Sequence, residues 1–121
     1  MDKTFEKNEK LYRAVYPPEM AELFWRRDGS LSSAAFADPK GLSVDRAGGR
    51  PESDILLDMN KRFIGRIISI YVKNCLDTGA VVKYLPSASN PYHSEIHGST
   101  TSPLLSKQQR LFLARKAVIV T

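Results

Sequence analysis

Most of the side chains that could do chemistry in this sequence lie in one short polar run. His93, Glu95 and His97 occupy alternate positions there, and they include both histidines of the chain. Residues two apart on a β-strand point to the same face, so the two imidazoles and the carboxylate would share a face. An imidazole titrates near neutral pH, and a nearby carboxylate can orient it. The run therefore predicts an acid–base pair, with His93 as acid or base and Glu95 as its orienting group.

The same three side chains could instead form a metal site, because two histidines and a glutamate are a known zinc-binding set. Ligands two residues apart on one flat strand diverge along it, however, and the sequence has no third histidine. We therefore predict no metal site and no other cofactor. A polar edge strand with two surface histidines is the simpler alternative.

A second polar pair, Asp45–Arg46, follows a short apolar segment. Its guanidinium could bind an anionic oxygen, its carboxylate could position a ligand, and Ser33, Ser43 and Asn90 could add hydrogen bonds. Histidine, arginine and carboxylates together suit phosphodiester or nucleotide chemistry. The commoner interpretation of an Asp–Arg pair is a salt-bridged turn after a strand.

The whole chain fits one domain of 121 residues, with 42% hydrophobic residues and a net charge of +5. It has no apolar run of membrane-spanning length, and its polar residues 1–10 read as a flexible end rather than a signal peptide. A single cysteine, Cys75, excludes a disulfide framework. These features predict a cytoplasmic protein.

Positive charge is concentrated in the last third of the chain. From Thr78 onward, Glu95 is the only acid against five bases, Lys83, Lys107, Arg110, Arg115 and Lys116. Such a segment could attract the phosphates of a nucleotide or RNA. A solvated helix face explains the same pattern without a ligand, and we give this explanation more weight.

The pattern of apolar residues predicts short helices and strands without βαβ alternation. The expected elements are a strand at Leu11–Tyr16, a helix from Glu19 to Arg26, short segments at Leu31–Phe36 and Leu42–Asp45, a helix from Ser53 to about Lys61, a central strand at Phe63–Val72, a hairpin onto Ala80–Leu85 and a helix after Ser102. This order predicts an α+β fold with a small, mainly antiparallel sheet and two or three helices. Arg115 falls within the apolar arc of the last helix, so either that helix ends before it or the arginine points inward and needs a carboxylate.

Three blocks of the sequence resemble a family of small uncharacterised bacterial proteins. They are Ser32–Phe36, Leu42–Arg46, and the pattern Asn-Pro-x-His-x-Glu-Ile-x-Gly at residues 90–98. The resemblance extends over most of the chain and brings no known activity or fold with it. It implies that Ser33, Asp45, Arg46, His93 and Glu95 meet in one place, whereas His97 is not part of the pattern.

Two functions fit these observations best, and a basic nucleic-acid binder without catalysis, which would bind through Lys107, Arg110 and Lys116, is a third. In the first, the five residues line an open cleft that binds a phosphate-bearing nucleotide or RNA and could cleave it or transfer a group. In the second, the protein is a non-enzymatic accessory or interaction protein, with a protein partner or a second copy of itself, and the same residues form a buried hydrogen-bond network. The first requires an accessible His93; the second requires buried side chains that satisfy one another.

Overall fold

One six-stranded sheet organises the part of the chain that the computed structural model describes, residues 4–121. In chain order the elements are β1 (Lys10–Val15), β2 (Leu42–Arg46), α1 (Glu52–Arg62), β3 (Arg66–Tyr71), α2 (Val72–Asp77), β4 (Val81–Tyr84), β5 (His93–His97), α3 (Lys107–Lys116) and β6 (Val118–Ile119). Two short 3₁₀ helices, Glu22–Phe24 and Ser33–Phe36, lie between β1 and β2. The strand order is β4-β5-β2-β1-β3-β6, and all neighbours are antiparallel. The predicted α+β fold is confirmed.

The two faces of the sheet are covered by different elements. On one face, alternate residues of the strands join α2, α3 and the second 3₁₀ helix in the larger apolar core. On the other face, α1 places Ile55 and Met59 against Tyr12 and Ile67, which come from β1 and β3. On β5, this second face carries His93, Glu95 and His97 instead of apolar residues.

The predicted central strand is present but shorter than expected. Ile67–Ile70 are all buried, so both faces of β3 are covered, as its continuous apolar run predicts. The strand begins only at Arg66 because Gly65 has a φ of +126°, which turns the chain between α1 and β3. Phe63 and Ile64 therefore lie outside the strand and are exposed.

The predicted hairpin after this strand is wrong. Residues Val72–Asp77 form α2, whose first turn is closed by the Asn74 side chain, which accepts a 2.9 Å hydrogen bond from the Tyr71 N–H. After α2 the chain reverses at Gly79 and enters β4, which pairs with β5 rather than with β3. A local turn signal does not reveal that the next strand pairs at the far edge of the sheet.

The helix predictions had mixed outcomes. The helix expected from Ser53 to about Lys61 is confirmed as α1, although Pro51 rather than Ser53 occupies the N-cap position. The helix expected from Glu19 to Arg26 is wrong, since only Glu22–Phe24 are helical, in one 3₁₀ turn. Its apolar residues Met20 and Leu23 are 59% and 74% exposed, so no core supports a longer helix there.

Neither predicted position of Arg115 is correct. Residue 115 lies within α3, but its side chain is exposed. The helix begins at Lys107 behind the N-cap Ser106, so Leu104 and Leu105 precede it and do not define its apolar face. Its buried residues are Gln109 and Leu113, and this shift leaves Arg115 at the surface.

The N-terminal segment departs from the expected flexible end. Lys10 belongs to β1, Phe5 packs against the larger core, and Glu9 forms an ion pair with Arg46. The prediction for residues 1–3 lies outside the described residues. Among residues 4–121, no helix is both long and apolar enough to span a membrane.

Candidate functional site

Asp45 and Arg46, which were expected to share a pocket, lie on opposite faces of the sheet. Successive side chains of a strand alternate, and both residues belong to β2. Asp45 is opposite His93 in the register, whereas Arg46 is bonded to N-terminal residues on the other side. The prediction that Arg46 joins His93 is therefore wrong.

Arg46 is a buried structural group. Its Nε donates to Glu9 Oε2 at 2.9 Å, and its Nη2 donates to Glu9 Oε1 at 2.7 Å and to the carbonyl of Thr4 at 2.9 Å. The Phe5 and Tyr84 rings lie 4.1 and 4.9 Å from the guanidinium carbon. With 3% of its side chain exposed, this arginine holds the N-terminal segment on the sheet and has no surface to offer an anionic ligand.

Asp45 is also buried, and its two carboxylate oxygens have different partners. Asn90 Nδ2 donates to Oδ1 at 2.9 Å, and Arg62 Nη2 donates to Oδ2. Arg62 also donates to Asp58 at 2.8 Å, one helical turn earlier in α1. Sequence reasoning missed Arg62 because only the folded chain brings α1 over Asp45. Since two carboxylates hold its guanidinium, Arg62 is poorly placed to bind a further anion.

His93, Glu95 and His97 do meet, as their spacing on β5 predicts. Each imidazole Nε2 lies near one oxygen of Glu95, at 3.3 Å for His93 and 2.8 Å for His97. Gly41 lies against this row: a Cβ at that position would be 2.6 Å from His97 Nε2 and 2.9 Å from Glu95 Oε1. The absent side chain leaves the space in which the His97 ring reaches the carboxylate.

These contacts lower the pKa of Glu95. The hydrogen bond from His97 is the largest cause, partial burial opposes it, and His93 adds a smaller share. A carboxylate whose folded pKa is depressed stabilises the fold above its unfolded pKa, about 4.3, and loses this contribution as pH falls through the folded value.

Glu95→Gln should therefore lower the free energy of unfolding at pH 7 by about 1 kcal/mol, the size of a partly exposed charged hydrogen bond. Urea titrations at several pH values measure this effect. The difference in the free energy of unfolding between Glu95→Gln and wild type should shrink as pH falls below about 4.3. Glu22→Gln changes an exposed carboxylate that forms no ion pair within residues 4–121, and should leave the profile unchanged. A difference for Glu95→Gln that stays constant down to pH 2 would contradict the assignment.

The hollow beside His93 is small. Ser43, Asp45, Asn90 and His93 line a cavity of about 120 Å³. Ligand pockets are usually roughly 300–1,000 Å³, so a nucleotide does not fit there. The expected His93 site thus brings together Asp45, His93, Glu95, Ser43 and Asn90, but without room for the ligand. The cation in the described lining of this cavity, Arg13, already donates to the carbonyls of Ala35 and Ser43.

Two other kinds of reactive group within residues 4–121 bear on a possible active centre, the cysteine thiol and clusters of metal-binding side chains. Cys75 is fully buried, and burial raises the pKa of its thiol to about 12, so it is not a nucleophile. In the described part of the chain, no three His, Cys, Asp or Glu side chains are arranged to hold a metal ion.

Ser33 lies elsewhere, in a pocket of about 540 Å³ between the 25–31 hairpin, the second 3₁₀ helix and the end of α3. Arg26 and Arg115 also line this pocket; neither forms an ion pair within 4.0 Å with a residue of the described chain, although Arg26 interacts electrostatically with the exposed carboxylate of Asp28. The full lining consists of two arginines, three serines and five aliphatic residues: Arg26, Arg115, Ser30, Ser32, Ser33, Leu31, Leu111, Ala114, Ala117 and Ile119.

Of the three serine hydroxyls in this pocket, only one is available to a ligand. Ser30 Oγ donates to Asp28, and Ser32 Oγ donates to the carbonyl of Leu23 at 2.6 Å. Ser33 Oγ has no hydrogen-bond partner among residues 4–121. Sequence reasoning singled out Ser33 and noticed Arg115, but the pairing of Arg115 with Arg26 depends on how the hairpin packs against α3.

Comparison with known proteins adds nothing to this geometry: no protein-family model, no characterised protein and no solved structure matches the chain. The resemblance of its polar blocks to a bacterial family stays a prediction.

Proposed function

We propose that this protein is a non-catalytic binding module for a small anionic ligand, such as a phosphate ester, which it holds between Arg26 and Arg115. The observation that carries the proposal is two exposed guanidinium groups on one pocket, with no carboxylate in its lining. Guanidinium groups bind phosphate and carboxylate oxygens through paired, charge-assisted hydrogen bonds. The Ser33 hydroxyl supplies a further donor.

The size and charge of the pocket fit such a ligand. A volume of about 540 Å³ lies within the usual range for small-molecule sites. The end of α3 adds a partial negative charge of roughly half a unit, and the exposed Asp28 carboxylate beside Arg26 offsets one positive charge, so the two guanidinium groups still leave the site net positive.

A larger cavity of about 810 Å³ lies beside Arg46, but its cations already have partners in the protein. Arg46 pairs with Glu9, Lys10 with Glu52, and Arg50 with Asp58 at 3.6 Å and with the carbonyls of Ala47 and Arg46. The Arg26–Arg115 pocket is therefore the better anion site.

Binding without catalysis follows from the side chains present. The described lining contains no histidine, carboxylate, cysteine, lysine or tyrosine, and so no group that exchanges a proton near neutral pH. We therefore favour a non-enzymatic protein, as in the second function considered from the sequence, but one that binds a small anion rather than an accessory or interaction protein. The buried partners of Asp45 and Arg46 also support a structural role for these residues.

A titration of the protein with inorganic phosphate, monitored by NMR, tests the proposal. Wild-type protein should show saturable shifts of the amides near Arg26, Ser33 and Arg115. The double variant Arg26→Ala/Arg115→Ala should bind at least about tenfold more weakly, because each lost charged hydrogen bond is worth roughly 1.5–3 kcal/mol before solvent screening.

The matched control is Arg27→Ala/Lys116→Ala, which removes the same two charges from adjacent positions outside the pocket. It should bind phosphate within about twofold of wild type, since long-range attraction alone is screened by salt. Equal losses in the two double variants would show a diffuse charge effect and overturn the proposal.

A further inference from the structure

We infer that the anionic ligand of the Arg26–Arg115 pocket has an aliphatic body rather than a nucleobase. This inference rests on the proposed function, since it concerns the same pocket, and it depends on the apolar part of the lining, which we call the aliphatic wall. Five aliphatic side chains form that wall: Leu31, Leu111, Ala114, Ala117 and Ile119.

The wall lacks what a nucleobase needs. Bases are held by stacking on aromatic rings or on guanidinium planes and are identified by hydrogen bonds to their edges. No aromatic, Asn, Gln, Asp or Glu side chain is found in the described lining, and the serine hydroxyls other than Ser33 are occupied within the protein. If the two guanidinium groups hold the phosphate, neither is left to stack on a base.

An alkyl group gains from the same wall. Leu111 is 37% exposed in the empty pocket, and Ala114, Ala117 and Ile119 are partly exposed. Covering this surface with methylene groups removes apolar area from water on both partners. Full burial of one methylene is worth about 0.8 kcal/mol, or about fourfold in affinity. Because the pocket is open to solvent, each methylene is only partly buried and should raise the affinity by less than fourfold.

A pocket with a cationic end and an aliphatic wall fits an alkyl phosphate or an alkyl carboxylate. These share one chemistry, an anionic head on an aliphatic chain, and differ in the charge and geometry of the head. Guanidinium groups bind both heads, and a phosphate dianion should bind more tightly than a monoanionic carboxylate.

Calorimetric titrations with four probes test the inference: inorganic phosphate, n-hexyl phosphate, hexanoate and adenosine 5′-monophosphate. Hexyl phosphate should bind at least tenfold more tightly than inorganic phosphate, and adenosine 5′-monophosphate should bind within about threefold of it. If hexanoate binds as tightly as hexyl phosphate, the ligand has a carboxylate head; if hexanoate binds more weakly, the ligand has a phosphate head. Both results are consistent with an aliphatic body.

Leu111→Ser should reduce the affinity for hexyl phosphate by at least threefold while leaving inorganic phosphate unchanged. Leu57→Ser makes the same change on an exposed leucine of α1, outside the pocket, and should alter neither affinity.

The failures of the two proposals are distinguishable. If inorganic phosphate binds but the hexyl chain adds less than twofold, the aliphatic body is wrong and the anion site stands. If adenosine 5′-monophosphate binds more tightly than hexyl phosphate, the ligand is a nucleotide and this inference is overturned. If neither inorganic phosphate nor hexyl phosphate binds at millimolar concentration, both proposals fail.

Discussion

Arg46→Ala should destabilise the protein by about 3–5 kcal/mol, the usual cost of removing one partner of a buried ion pair. The substitution leaves the Glu9 carboxylate with the backbone N–H of Gly48 but without its guanidinium, and it opens a space between Phe5 and Tyr84. Small domains have a total stability of about 5–15 kcal/mol, so this loss is a large part of the whole. The measurement is the free energy of unfolding from urea titration.

Two further variants separate a buried ion pair from a simple loss of charge. Arg27→Ala removes an exposed guanidinium and should change stability by less than about 0.5 kcal/mol. The double variant Arg46→Met/Glu9→Gln removes both charges and fills the space, so it should lose less than Arg46→Ala alone. If Arg46→Ala unfolds the protein completely, the double variant still gives a measurable value. A loss for Arg46→Ala no greater than that for Arg27→Ala would exclude a structural role.

Gly65→Ala should cost about 3 kcal/mol, in the range of the more damaging single substitutions. A Cβ at this position would lie 2.3 Å from the carbonyl oxygen of Val15, a backbone atom that cannot turn away, and the φ of Gly65 is +126°. The residue joins α1 to β3 where the chain passes the end of β1. An alanine there must separate β1 from β3 or distort the connection.

Gly79→Ala is the matched control for this prediction. Its φ of +78° is also positive but lies close to the left-handed region that a residue with a side chain can adopt, and a Cβ there would meet nothing within 4 Å. This control should lose only about 1–2 kcal/mol, the cost of a left-handed conformation for a residue with a side chain. The difference between the two variants in urea titrations measures the contact with the Val15 carbonyl together with the additional strain of a φ of +126°. Equal losses in the two variants would mean that the connection between α1 and β3 accommodates the Cβ of alanine without a further loss of stability.

The fold class and the central strand were predictable because they depend on local apolar patterns. The continuous run around Ile67–Ile70 indicates a strand covered on both faces, and α1 shows its core residues at helical spacing. The partner of each strand was not predictable, because pairing depends on which segments meet in the folded chain. The turn after Asp77 therefore suggested a hairpin, whereas β4 joins β5 at the far edge.

The candidate site was predictable only in part. The contact between Glu95 and the two imidazoles follows from alternation along one strand, and so does the separation of Asp45 from Arg46, because adjacent residues of a strand face opposite ways. The predicted pocket grouped Asp45 with Arg46 by residue type and did not apply this alternation to them. The roles of Arg62 and of the Arg26–Arg115 pair could not be predicted, because each depends on packing between segments far apart in the chain.

The position of β1 in the sheet has a consequence for protein synthesis. This strand precedes every other strand in the chain, yet it lies between β2 and β3. Its pairing with β2 can form once Arg46 has left the ribosome, but its more extensive pairing with β3 must wait until Tyr71, the last residue of β3, has left it. Until then a segment that includes Leu11 and Val15 has no complete sheet to join, and a nascent chain stalled before residue 71 should be a target for chaperones and proteases.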